Sequence, residues 1–141
     1  MPEQKLLELK SLWDKKRGER MMPQRAQFST RDFRAWYGNL ALIDIPSRTV
    51  RLCGTNLISR FGCDATGRDI ADLDELVAGS IVSYIHCARK TQSSSISIYD
   101  CTVDGMQLKF QELILPLSDD ATDVTMILLG SYEIERRPAW Q

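Results

Sequence analysis

The stretch Arg51-Leu52-Cys53-Gly54-Thr55-Asn56-Leu57-Ile58-Ser59-Arg60-Phe61-Gly62-Cys63-Asp64-Ala65-Thr66-Gly67-Arg68-Asp69-Ile70 decides the fold. It opens as a strand that ends at Gly54, where the missing side chain lets the chain turn away. Two very short helical turns follow, punctuated by Gly62 and Gly67. Thr55 is placed to N-cap the first turn, and Thr66 with Asp69 fits the same capping pattern at the next.

Working outward, residues 40–45 and 50–54 read as two apolar strands joined at Pro46-Ser47-Arg48. On the N-terminal side, residues 3–17 form an amphipathic helix with Leu6, Leu9 and Trp13 on one stripe. Lys15, Lys16 and Arg17 close it at the negative end of its dipole. An irregular arm containing Pro23 leads to Ser29 and Asp32, a capping-box pair that opens a short helix bearing Phe33, Trp36 and Tyr37.

On the C-terminal side, a long helix over residues 73–90 carries Leu73, Val77, Ile81, Tyr84 and Ala88 on one face, with Ile85 close by. Three strands follow, over 95–103, 106–117 and 124–135. The first two meet through Asp104-Gly105, because a type I′ hairpin turn needs positive φ at both positions. In the second, apolar alternation changes phase between Phe110 and Leu113. This slip predicts a β-bulge near Gln111-Glu112. The five strands can close one antiparallel sheet if the long helix crosses one face, an α+β arrangement.

A chain of 141 residues has room for one domain and its core. Its 18 basic and 19 acidic residues give no field that favours nucleic acid or anionic lipid. No apolar run approaches the roughly 20 residues of a membrane span, and residues 1–12 lack the apolar core of a signal peptide. The cysteines, Cys53, Cys63, Cys87 and Cys101, form no CxxC pair. They are expected as reduced thiols in a cytoplasmic protein, mostly buried as small hydrophobes.

The order of elements, with Trp13 and Arg17 on the leading helix, Pro23 and Arg25 in the arm, and residues 42–45 as first strand, resembles a PAS domain. Arg51, Gly54 and Thr55 fit an RxxGT step, Gly62 with Asp64 an intermediate turn, and Thr66-Gly67-Arg68 a TGR step. More closely, the chain is similar to the PAS-like family common as short stand-alone alphaproteobacterial proteins. The resemblance implies a five-stranded sheet with flanking helices and an N-terminal amphipathic helix. Residues 1–38 would be the helical extension and arm, and residues 39–136 the PAS-like domain.

It also implies a sensory or adaptor module that binds a small ligand, a protein partner or both, with no output domain of its own. The ligand would lie between sheet and long helix. Candidates to line that cavity are Leu42, Leu52, Phe61, Ile81, Ile85, Phe110 and Leu128, with plain core packing as the alternative. Arg51 and Arg68 are candidate anchors for a carboxylate or phosphate. The stripe Leu6, Leu9 and Trp13 must pack on the chain's own sheet or on a second copy, so a homodimer is an open expectation.

The competing chemistries are weaker. A haem or flavin would make the chain a redox or gas sensor, but His86, the only histidine, falls roughly opposite the apolar stripe of its helix. The Asn-Cys-Arg-Phe-Leu run of flavin photosensors is absent. One histidine and four scattered cysteines give no metal-ligand pair. A small enzyme on this scaffold lacks a histidine–nucleophile pair at motif spacing. The expectation is therefore a non-enzyme with no cofactor.

Overall fold

The computed structural model describes residues 2–72, 80–120 and 122–140. The elements run α1 (Pro2–Arg17), three single-turn 3-10 helices (Arg25–Gln27, Thr30–Phe33, Tyr37–Asn39), β1 (Leu40–Asp44), β2 (Thr49–Cys53), α2 (Thr55–Phe61), α3 (Ser80–Thr91), β3 (Ser95–Val103), β4 (Met106–Leu117) and β5 (Met126–Pro138). Leu73 and Val77, expected on the long helix, lie outside the described residues. The strands form one antiparallel sheet in the order β2-β1-β5-β4-β3. This is the five-stranded sheet with flanking helices that the resemblance implies.

Cross-strand pairs share a face, so the register sorts the sheet into two sides. Leu40, Gly130 and Leu113 form one row of the outer face, and Leu42, Leu128 and Leu115 the next. The inner face carries Ile43, Ile127, Ile114, Glu112, Ser131 and Phe110. Helix α1 lies on the outer face. A Cβ built on Gly130 would stand 3.0 Å from Leu9 and 3.1 Å from Leu6, so the missing side chain lets the helix approach β5 closely. Trp13 completes the seat by donating its ring N–H to the Pro116 carbonyl at 2.9 Å.

The arm holds α1 from the flank. Trp36 donates to the Lys5 carbonyl at 2.7 Å, Gln27 to the Lys16 carbonyl at 2.6 Å, and Lys16 pairs with Asp32 at 3.3 Å. The basic end of α1 is therefore a tether to the arm. The Ser29–Asp32 capping box forms as the sequence predicts. So does the hairpin, with φ of 52° at Asp104 and 75° at Gly105.

Four local expectations are corrected. The phase change in β4 is no bulge of β4: β3 and β4 pair without interruption, and the register shift against β5 falls between Lys109 and Phe110, leaving Ile134 as the extra residue. Alternation fails from Glu112 to Leu117 because both faces are covered there and every side chain is buried. The cap of α2 is Gly54 instead of Thr55, which is its first helical residue. Thr66 and Asp69 do not share a box. Asp64 accepts from the Thr66 amide at 2.9 Å, and Asp69 from the Ala71 amide at 2.8 Å, capping the turn at residues 70–72. Of the four free cysteines only Cys53 is buried.

The β4–β5 connection yields a pH prediction. The Asp120 carboxylate accepts from the Asp123 and Thr122 amides at 2.8 and 2.9 Å and from the hydroxyls of Thr122 and Ser118. These donors favour the charged form and draw its pKa from 3.8 to about 2, with the Asp123 and Thr122 amides foremost. A lowered folded-state pKa adds stability above the unfolded value, and that stability is lost as pH falls through the folded one. Melting temperatures of the wild type should therefore fall between pH 3.8 and about 2. Asp120→Asn should start lower at neutral pH and show a shallower acid slope by circular dichroism.

Candidate functional site

On the inner face a cluster of polar side chains sits where an apolar core would be expected. Glu112, 5% exposed, points from β4 under α3. One carboxylate oxygen accepts from the Tyr84 hydroxyl of α3, and the other from the Ser131 hydroxyl of β5 at 2.7 Å. Arg60, in the last turn of α2, donates to the same Ser131 oxygen at 2.7 Å. Ser131 thus bridges a cation and a buried anion, accepting from one and donating to the other. Three elements meet at this serine.

The Arg60 guanidinium lies over the Phe110 ring, 3.8 Å from its centroid. Such stacking of a half-desolvated cation stabilises by roughly 1–2 kcal/mol. Tyr99, across the strand pair, stacks beside Phe110 with centroids 6.2 Å apart. Burial draws the Arg60 pKa below its usual value, opposed by the charges of Glu112 and Glu133, and the group stays cationic. Desolvation pushes the nearby Cys101 thiol up, with Arg60 pulling the other way. The Ser131 hydroxyl takes a single Arg60 N–H, and the guanidinium carries five.

The residues expected from sequence are spread over three places. Phe110 lies at the polar cluster, and Ile81 and Ile85 are buried on α3. Leu42, Leu128 and Leu52 lie on the outer face, since Leu42 pairs with both Leu128 and Leu52. Arg51 has no partner on β1 because the register shifts between Leu42 and Ile43, and it meets Asp44 at 3.6 Å. Arg68 is on the surface, 3.5 Å from Asp72 and 3.4 Å from the Cys63 sulfur. The Phe61 side chain lies outside the described part of the structure. His86 is exposed and lines an open cleft of about 870 Å3 beside α3. Leu6, Leu9 and Trp13 are buried under the chain's own sheet. Among the described residues no group of three or more His, Cys, Asp and Glu is arranged to hold a metal ion.

Arg60, Tyr84, Tyr99, Glu112 and Ser131 went unmarked in the sequence. Two signals were present. Glu112 immediately precedes the apolar run Leu113-Ile114-Leu115, and Ser131 follows Gly130 at the end of another.

A second cavity, of about 300 Å3, opens on the outer face between the arm and β1–β2. Phe33, Leu42, Leu52 and Met126 contribute apolar walls, with Arg25 and Arg51 beside them.

The family described as PAS domain matches residues 1–133, and the chain belongs to it. PAS domains are sensory modules found in signalling proteins. The PAS domain of Bordetella pertussis BvgS superposes with a TM-score of 0.55 at 15% identity, over 95% of this chain and 89% of that one. A sensory box sensor histidine kinase from Vibrio cholerae gives 0.55 at 17% identity, over 68% and 81%. A light-oxygen-voltage domain described with a flavin analogue gives 0.55 at 15% identity, over 78% and 88%. At these identities the likeness shows the fold alone. No curated protein matches the sequence. No helix among the described residues is long and apolar enough to cross a membrane.

Proposed function

We propose that this PAS module senses a small ligand on the inner face of its sheet and passes the occupancy to a protein partner. The observation that carries the reading is Arg60. Its guanidinium is half-buried, held over Phe110, and, among the described residues, hydrogen-bonded through Ser131 alone. A ligand with a carboxylate, phosphate or carbonyl oxygen would complete its hydrogen bonds in a partly desolvated setting, where charge-assisted bonds are strongest. The same serine links α2 to β4, β5 and, through Glu112, to α3. A ligand that draws on Arg60 changes the balance of that network, and it shifts the module between states only by its differential affinity for them.

Native mass spectrometry of the purified protein tests this. The wild type should carry a small-molecule adduct that Arg60→Met abolishes, with the melting temperature held within a few degrees because methionine keeps an apolar stem over Phe110. A wild-type mass without adduct, or an adduct that survives Arg60→Met, overturns the reading.

A further inference from the structure

The geometry points to a second binding site, in the outer-face cavity, for a small anion with an apolar tail. It stands apart from the Arg60 cluster, on the opposite side of the sheet. Phe33, Leu42 and Met126 are 2%, 3% and 7% exposed, so they form its floor. Arg25 is half-buried and Arg51 exposed, so the cations stand nearer the solvent. This is the layout that an amphiphilic anion fits: tail on the floor, head between two guanidinium groups. A cavity of about 300 Å3 is at the small end of ligand sites and suits a short aliphatic or aromatic acid.

The charge balance favours an anion. Arg25 donates one N–H to the Phe28 carbonyl at 3.0 Å and stands 5.5 Å from the Phe33 ring centroid. Arg51 faces one carboxylate, Asp44, at 3.6 Å, and that carboxylate also accepts from the Ser47 amide at 3.1 Å and from the Ser47 hydroxyl. Asp119 accepts from the Arg25 backbone amide at 3.3 Å, and among the described residues the one ion pair made by either guanidinium is that of Arg51 with the already engaged Asp44. The unpaired position of Arg51 on β2 has a use here: an extra residue in a strand re-aims its side chain.

Tyr37 also lines the cavity, and Tyr37 and Phe33 both belong to the arm. The arm in turn bonds α1 through Trp36 and Gln27. An occupant would thus brace the arm against the sheet, and α1 with it.

Isothermal titration with hexanoate, hexyl phosphate and hexan-1-ol tests the assignment. At least one anion should bind the wild type about tenfold or more tighter than the alcohol, a difference of about 1.4 kcal/mol. Arg25→Gln/Arg51→Gln should abolish that preference. Arg51→Gln alone, which changes an exposed side chain and keeps the arm's Arg25–Phe28 bond, should weaken it several-fold. Arg60→Met should leave it unchanged. No binding of either anion, equal binding of hexan-1-ol, or an affinity that Arg51→Gln leaves untouched overturns the proposal. Loss in Arg60→Met with retention in the double variant places the anion on the inner face and overturns it too. The inner-face reading stands or falls separately, on its own adduct.

Discussion

Gly54→Ala is expected to destabilise the protein by about 3 kcal/mol, the upper part of the range for forcing an extra methyl into a packed site. The backbone at this position is ordinary, with φ −68° and ψ 157°, so alanine meets no conformational penalty. Space alone forbids it. A Cβ here would fall closer than 3.0 Å to the Gly38 carbonyl group and the Tyr37 oxygen, and backbone atoms cannot swing aside. The close contact exists because the Gly54 amide donates to the Leu40 carbonyl at 2.8 Å as β2 gives way to α2. Pushing it apart pulls the last turn of the arm off the first turn of α2, and α2 carries Arg60. Urea unfolding should show the midpoint falling with the slope unchanged. A midpoint within error of the wild type would refute the steric account.

Trp13→Ala should cost about 4 kcal/mol, the scale for emptying a large aromatic from a core. The side chain is 3% exposed, and its ring N–H satisfies the Pro116 carbonyl. Trp13→Phe separates the two contributions. It keeps most of the apolar contact and orphans that carbonyl, for about 2 kcal/mol. Sedimentation of both variants checks that this seat is the chain's own. A seat on the chain's own sheet predicts lower stability with unchanged mass, whereas a stripe shared between copies predicts a smaller particle.

How far the fold could be read from the sequence depended on whether the signal was local. The Asp104-Gly105 turn, the Ser29–Asp32 box and the Leu6–Leu9–Trp13 stripe each state their geometry within a few residues. The side of the sheet that a strand residue occupies is different. Alternation gives parity inside one strand, but only register across strands says which parity faces α3. Leu42 and Phe110 were therefore expected to line the same cavity, and the pairings put them on opposite faces. The Arg60 cluster was hidden for a related reason. An arginine late in a short helix, a tyrosine on an apolar stripe and a serine in a strand are each unremarkable. Their meaning appears only when three distant segments converge on Glu112.

The bond from Trp13 to Pro116 joins residues 103 apart in the chain. Helix α1 is therefore synthesised long before the strands that form its seat. At roughly 5–20 residues per second, the interval is on the order of ten seconds. A helix of 16 residues is marginal in water without a partner, so the stripe spends that interval largely unstructured. Docking then waits for β5, which also joins the early β1 to the late β4. Closing contacts this distant is slow relative to local helix formation. The last strand made is thus the keystone of the assembly, and slowing or truncating its synthesis should expose Leu6, Leu9 and Trp13 to chaperones for longer than any other apolar surface of the chain.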